Sequence, residues 1–106
     1  MKIILQSVHF KASPQLEGFV NDKVGKLFRH NSRIVRADVT LHEGADGKPL
    51  NKYCEIRLLV RANDYFARKN SSSYEESVLN TVESLRKIIR RAKMKKIGRR
   101  RQFSLN

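Results

Sequence analysis

The 106-residue sequence has a single cysteine, Cys54, so no internal disulfide can form and a multi-cysteine zinc site is excluded. It has no apolar run near the ~20 residues needed to cross a bilayer. Its N-terminus offers only Ile3, Ile4 and Leu5 before Gln6, too few for a secretory signal core. A cytoplasmic protein is expected. A phosphate-binding glycine loop is also missing: Gly44 and Gly47 are followed by no lysine–serine pair and open no helix. His9, His30 and His42 lack metal-ligand spacing, and His42 falls on the polar side of an alternating segment, where a solvated histidine is expected. Cys54 falls on the apolar side of another, as expected of a buried, inert thiol. Glu75 and Glu76 are explained as charges in a first helical turn. The pattern predicts no enzyme, no cofactor, no metal and no small-molecule substrate.

Acidic residues are absent where basic ones are most abundant. The formal charge is +13, from 23 Lys and Arg against 10 Asp and Glu. Residues 1–85 carry 13 of the basic and all 10 of the acidic side chains, whereas residues 86–106 carry 10 basic side chains and no acidic one. Like charges one helical turn apart repel, so a run this pure is more easily held beside a polyanion. That leaves nucleic acid or an acidic membrane surface as the partner class.

Periodicity orders the elements. Residues 3–8 read as a strand. Ser13 and Pro14 read as the N-cap and first residue of a helix, with Leu16, Val20, Val24 and Leu27 on its buried stripe and Phe19 and Phe28 beside it. Gly18 and Gly25 each weaken that helix by roughly 1 kcal/mol relative to Ala at exposed positions. Residues 34–43 alternate, with Val35, Ala37, Val39 and Leu41 on one face and Arg36, Asp38, Thr40 and His42 on the other. Residues 44–49 read as a loop. Residues 53–61 alternate again, with Cys54, Ile56, Leu58 and Val60 inward, and residues 65–69 form a last short strand in an antiparallel meander. Tyr65 and Phe66 are adjacent there, so only one of them faces out. Ser73 and Glu76 predict a capping box. It opens a long helix whose buried stripe is Val78, Val82, Leu85, Ile89 and Ala92, flanked by Ile88, and which Gly98 is expected to end. The order β-α-β-β-β-α predicts an α+β fold, a four-stranded sheet with two helices packed on one face. Residues 1–97 are expected to form the domain and residues 98–106 a basic, flexible tail.

The membrane reading is weak, because the apolar stripe of the last helix is needed for the core and leaves only Ile97, Phe103 and Leu105 to insert. Nucleic acid is favoured, bound through phosphates. The element order is similar to that of double-stranded-RNA-binding domains. Those place basic residues at the start of the last helix, whereas this helix starts Ser73, Tyr74, Glu75, Glu76. An aromatic-rich strand motif of the RNA-recognition-motif kind is not evident.

Three local patterns occur in order: Ser13, Pro14 and Leu16 opening a helix that continues Phe19, Val20, Lys23, Val24, Lys26, Leu27; residues 62–67, Ala-Asn-Asp-Tyr-Phe-Ala; and Tyr74, Glu75, Glu76, Ser77, Val78 followed by Val82, Leu85, Arg86 and Arg90. With these the chain resembles the ribosome hibernation factors, or ribosome-associated translation inhibitors, over residues 2–96. The resemblance implies binding to 16S rRNA in the decoding region of the small ribosomal subunit, covering the sites of messenger and transfer RNA. It carries RNA contacts onto Lys23, Lys26 and Arg29 of the first helix and Arg86, Lys87, Arg90, Arg91 and Lys93 of the second. The charge run adds Lys95, Lys96, Arg99, Arg100 and Arg101. Where many members have Asp-Met-Tyr at the entry to the last helix, alignment on Val78 and Leu85 puts Tyr74 one place early and Glu75 at the aromatic position. Long members carry a further domain that pairs ribosomes, and pairing here is expected to need a second factor. The other reading is a general nucleic-acid-binding or RNA-condensing basic protein without ribosome specificity.

Overall fold

The computed structural model describes residues 2–29, 31–45, 49–61 and 63–104, with side chains described through residue 94. The elements are β1 (Ile3–Ser7), α1 (Pro14–Arg29), β2 (Ile34–Glu43), β3 (Lys52–Val60), β4 (Tyr65–Ser71) and α2 (Tyr74–Ser104). They form one sheet in the order β1-β2-β3-β4. β1 runs parallel to β2 because α1 crosses between them, with Ile3 opposite Ala37 and Ser7 opposite Leu41. β2, β3 and β4 pair antiparallel through short connections.

Strand alternation turns Ala37, Val39, Leu41, Cys54, Ile56, Leu58 and Ala67 toward the two helices, which answer with Leu16, Val20, Val24 and Leu27 from α1 and Val78, Val82, Leu85 and Ile89 from α2. Each large apolar side chain fully buried there contributes about 1.5–3 kcal/mol relative to exposure. Both helices therefore lie on one face of the sheet, and among the described residues no element covers the other face.

Several local expectations are corrected. Val35 is 59% exposed rather than inward, and Ile34 is buried in its place. The register shifts between Ile34 and Arg36, so a bulge inserts one residue and turns the start of β2 over. Ser13 Oγ accepts from the Leu16 amide at 3.1 Å, as a helix N-cap does. At α2, Ser73 Oγ accepts from the Glu76 amide at 3.2 Å, but the Ser73 amide donates to Ser71 Oγ, not back to Glu76. The capping box is thus half formed, with a strand-end serine supplying the other half. Helix α2 also runs through Gly98 to Ser104. One helical glycine costs about 1 kcal/mol, and the good helix formers Arg99, Arg100, Arg101 and Gln102 follow it, so glycine alone does not end the helix.

Polar groups tie α2 to the sheet inside the core. Ser77 and Thr81 are fully buried. Ser77 Oγ donates to the Lys52 carbonyl at 2.5 Å and lies 2.9 Å from Ser71 Oγ. Thr81 Oγ1 reaches the Cys54 carbonyl at 3.3 Å and the Ser77 carbonyl at 2.7 Å. Satisfied hydroxyls of this kind fix the height of the helix on the strands, since a shift would leave buried polar groups unpaired. Cys54 is fully buried beside them, and burial pushes its thiol up to about 12.

Candidate nucleic-acid interface

The buried stripes decide where the cations go. In α1, with Leu16, Val20, Val24 and Leu27 inward, the half-buried Lys23 and Lys26 fall on the flank of the stripe. In α2, with Val78, Val82, Leu85 and Ile89 inward, the flank carries Leu79, Glu83, Arg86, Arg90 and Lys93. The two helices pack side by side, so these flanks meet along a groove.

Two adjoining cavities make up the groove. One, of about 360 Å³, is lined by Lys23, Lys26, Leu79, Asn80, Val82, Glu83 and Arg86. The next, of about 290 Å³, is lined by Lys26, Leu27, Asn31, Arg86, Ile89, Arg90, Lys93 and Met94. Lys26 and Arg86 border both and so mark the middle. Five cations converge there, and Glu83 is the sole carboxylate among the lining residues. Glu83 lies 3.7 Å from Arg86, one turn away on the same helix. Lys23 Nζ lies 3.4 Å from Asp22 and 5.5 Å from the Phe19 ring centroid. These are surface contacts of small energy, readily exchanged for a phosphate.

Of the residues singled out in the sequence, Lys23, Lys26, Arg86, Arg90 and Lys93 are brought together. Arg29 is exposed at the end of α1, and Lys87 and Arg91 are exposed on α2; none of the three lines either cavity. The backbone of α2 carries Lys95, Lys96, Arg99, Arg100 and Arg101, and their side chains lie outside the described residues. Asn31, Asn80, Leu79 and Met94 also line the groove. Sequence reasoning passed over them because it searched for charge; the helical flank on which Lys26 and Arg86 lie was the signal that could have found them.

A third cavity, of about 820 Å³, sits at the other end of α2, where the β1–α1 connection meets β2 and β3. His9 lies there in the left-handed backbone region at φ 65°. Phe10 stacks on Tyr74 at 4.9 Å between centroids, and Lys52 Nζ lies 5.5 Å from the Tyr74 centroid. Burial raises the Tyr74 pKa. Lys52 Nζ donates to Glu43 Oε1 at 2.8 Å, and that bond holds the Glu43 carboxyl below its ordinary value. His42 is not the solvated histidine expected. Its side chain is 27% exposed, its Nε2 lies 3.1 Å from Glu55 Oε2, and its ring stacks on Tyr53 at 5.0 Å. The strand register brings those neighbours to it from β3. His30 lies outside the described residues. Among the described residues no group of three or more His, Cys, Asp or Glu is placed to hold a metal ion, and no helix is long and apolar enough to cross a membrane.

Most of the chain is similar to known proteins. No curated protein matches its sequence. Among solved structures, it is similar to a ribosomal subunit interface protein from Coxiella burnetii, with a TM-score of 0.78 at 16% identity over 89% of this chain and 99% of that one. It is also similar to the N-terminal domain of Protein Y from Thermus thermophilus, with a TM-score of 0.72 at 18% identity over 86% and 98% of the two chains. At such identities these likenesses bear on fold. The model of the family described as Sigma 54 modulation protein / S30EA ribosomal protein matches residues 3–97. Element order, sheet topology and that match together make this chain a member of the Sigma 54 modulation protein / S30EA ribosomal protein family.

Proposed function

We propose that the protein is a ribosome-associated translation inhibitor that binds 16S rRNA in the decoding region of the small subunit and blocks the messenger and transfer RNA sites. The observation that carries this reading is the groove between α1 and α2, where Lys23, Lys26, Arg86, Arg90 and Lys93 face one carboxylate. A groove of that composition suits a phosphate backbone, because clustered cations release the condensed counterions of RNA when they bind it. Family membership favours the ribosome as the source of that RNA, as does the likeness to a protein described as a ribosomal subunit interface protein. Inhibition proceeds by occlusion and needs no chemical step. Arg29, Lys87 and Arg91 add contacts from the exposed helix surfaces, and the cations of residues 95–101 lengthen the contact along α2.

The test is sedimentation of the purified chain with isolated ribosomal subunits at physiological salt, with excess unrelated RNA present. One copy saturating the small subunit, and displaced by added transfer RNA, is the expected result. Binding removed equally by any RNA leaves a general polyanion binder and rejects the proposal.

A further inference from the structure

The face of the sheet turned away from the helices carries a pattern that the groove does not use. Alternation places Tyr53, Glu55 and Arg57 of β3 on it, opposite Asn70, Arg68 and Phe66 of β4. The Arg68 guanidinium carbon lies 5.3 Å from the centroid of the Tyr53 ring, and that of Arg57 lies 5.2 Å from the centroid of Phe66. The same unit, an arginine over an aromatic ring, thus occurs twice, each time across the β3–β4 pair. Tyr53 and Arg57 are four residues apart on one strand, about 13 Å. Two planar groups can therefore be held without touching each other. On the β2 side, His42 extends the first unit by stacking on Tyr53, with the ring planes 7° apart.

The exposed charge on this face is mainly cationic. The side chains of Arg57 and Arg68 are 52% and 56% exposed, whereas those of Glu55 and Asp38 are 27% and 35% exposed. Glu55 is recessed between His42 and Arg68, and Asp38 is held by Arg36 Nη2 at 3.1 Å. Asp64, at the rim, is the more exposed carboxylate, 4.0 Å from Arg57. Phe66 is itself 45% exposed. The Tyr53 ring is already flanked by His42 and Arg68, so at that unit a base stacks on the exposed Arg68 guanidinium, which Tyr53 backs. At the other unit Phe66 offers exposed ring surface of its own. Guanidinium planes and ring faces take nucleobases of any identity, and the outward cations suit the adjoining phosphates.

We propose that this open face is a second nucleic-acid surface, taking unpaired bases of a single strand on the Tyr53–Arg68 and Phe66–Arg57 pairs. It lies across the sheet from the helix groove and goes beyond the function proposed above, since the protein would touch two RNA segments at once. The probe is a short single-stranded oligonucleotide containing 2-aminopurine, whose fluorescence is quenched when the base stacks on a side chain, titrated with the full chain. The wild type quenches it. Phe66→Leu and Tyr53→Leu each weaken binding roughly five- to a hundredfold and lose quenching. Arg57→Gln and Arg68→Gln, at exposed positions, lose quenching without altering the thermal midpoint, which separates a binding defect from a folding one. Lys26→Ala with Arg86→Ala, in the groove, lowers the affinity by its lost phosphate contacts but reaches the same quenching at saturation. The proposal is overturned by absence of quenching in the wild type, by Phe66→Leu behaving as wild type, or by loss of quenching only in the groove variant. It is equally overturned if the sheet-face variants change only the self-association of the chain, which would make the face a contact between copies.

Discussion

Lys26 and Arg86 stand at the centre of the groove, each bordering both cavities, and replacing both by alanine tests the interface at its middle. Neither is a core residue: Lys26 is half-buried on a helix flank and the Arg86 side chain is 46% exposed. Folding should be retained, with circular dichroism and the thermal midpoint as controls. If each of the five groove cations meets one phosphate, log K against log salt should have a slope of about −3.5 to −4.5 from the groove alone, at roughly 0.7–0.9 per phosphate. The double variant should lose about 1.4–1.8 of that slope. Between 50 and 200 mM salt the groove contribution then falls by roughly 100- to 500-fold in the wild type and by only about 20- to 40-fold in the variant. Fluorescence anisotropy of labelled small-subunit rRNA over a salt series measures both. A double variant with an unchanged slope would refute the reasoning, because the groove would then release no counterions.

Glu83 is the carboxylate lining the groove, so Glu83→Gln should tighten RNA binding a few-fold at low salt, an effect that disappears as salt screens it; equal or weaker affinity in the same titration would contradict this. Gly18 is exposed in α1, and a Cβ there meets nothing within 4 Å, so Gly18→Ala should stabilise the fold by about 0.5–1 kcal/mol in a urea titration. The Cys54 thiol, pushed from 9.0 to about 12 by burial, should react with a thiol reagent only as fast as the protein opens. Because its folded value is the raised one, its contribution to stability is fully present below about pH 9 and is lost as pH rises toward 12; Cys54→Ala should flatten that alkaline limb of the stability curve. Removal of residues 99–106 should weaken rRNA binding and lower the salt slope, and an unaltered affinity would show that Arg99, Arg100 and Arg101 make no contact.

Legibility in the sequence followed the strength of each periodic signal. The strand at residues 34–43 and the α1 stripe of Leu16, Val20, Val24 and Leu27 were legible because alternation and helical spacing are local properties of the chain. The bulge that exposes Val35 was not, since it depends on the register with β3. The burial of Ser77 and Thr81 was equally hidden, because their partners are carbonyls of residues 52 and 54 on another element. For the site, the cations were legible as a charge excess, but charge alone did not separate Arg86, Arg90 and Lys93, which face α1, from Lys87 and Arg91, which do not line the groove. That division needed the packing angle of two helices. The arginine–aromatic pairs of the open face were beyond reach for a similar reason: Tyr53 and Arg68 are fifteen positions apart and meet only through the β3–β4 register.

The most direct test of the central claim uses the uncharged residues of the groove. A photo-crosslinking side chain placed at Asn80 or at Met94, which line its two cavities, leaves all five cations in place. With the chain bound to the small ribosomal subunit, both positions should crosslink to 16S rRNA. A complex that forms and sediments, yet gives no rRNA crosslink from either position, would contradict the account.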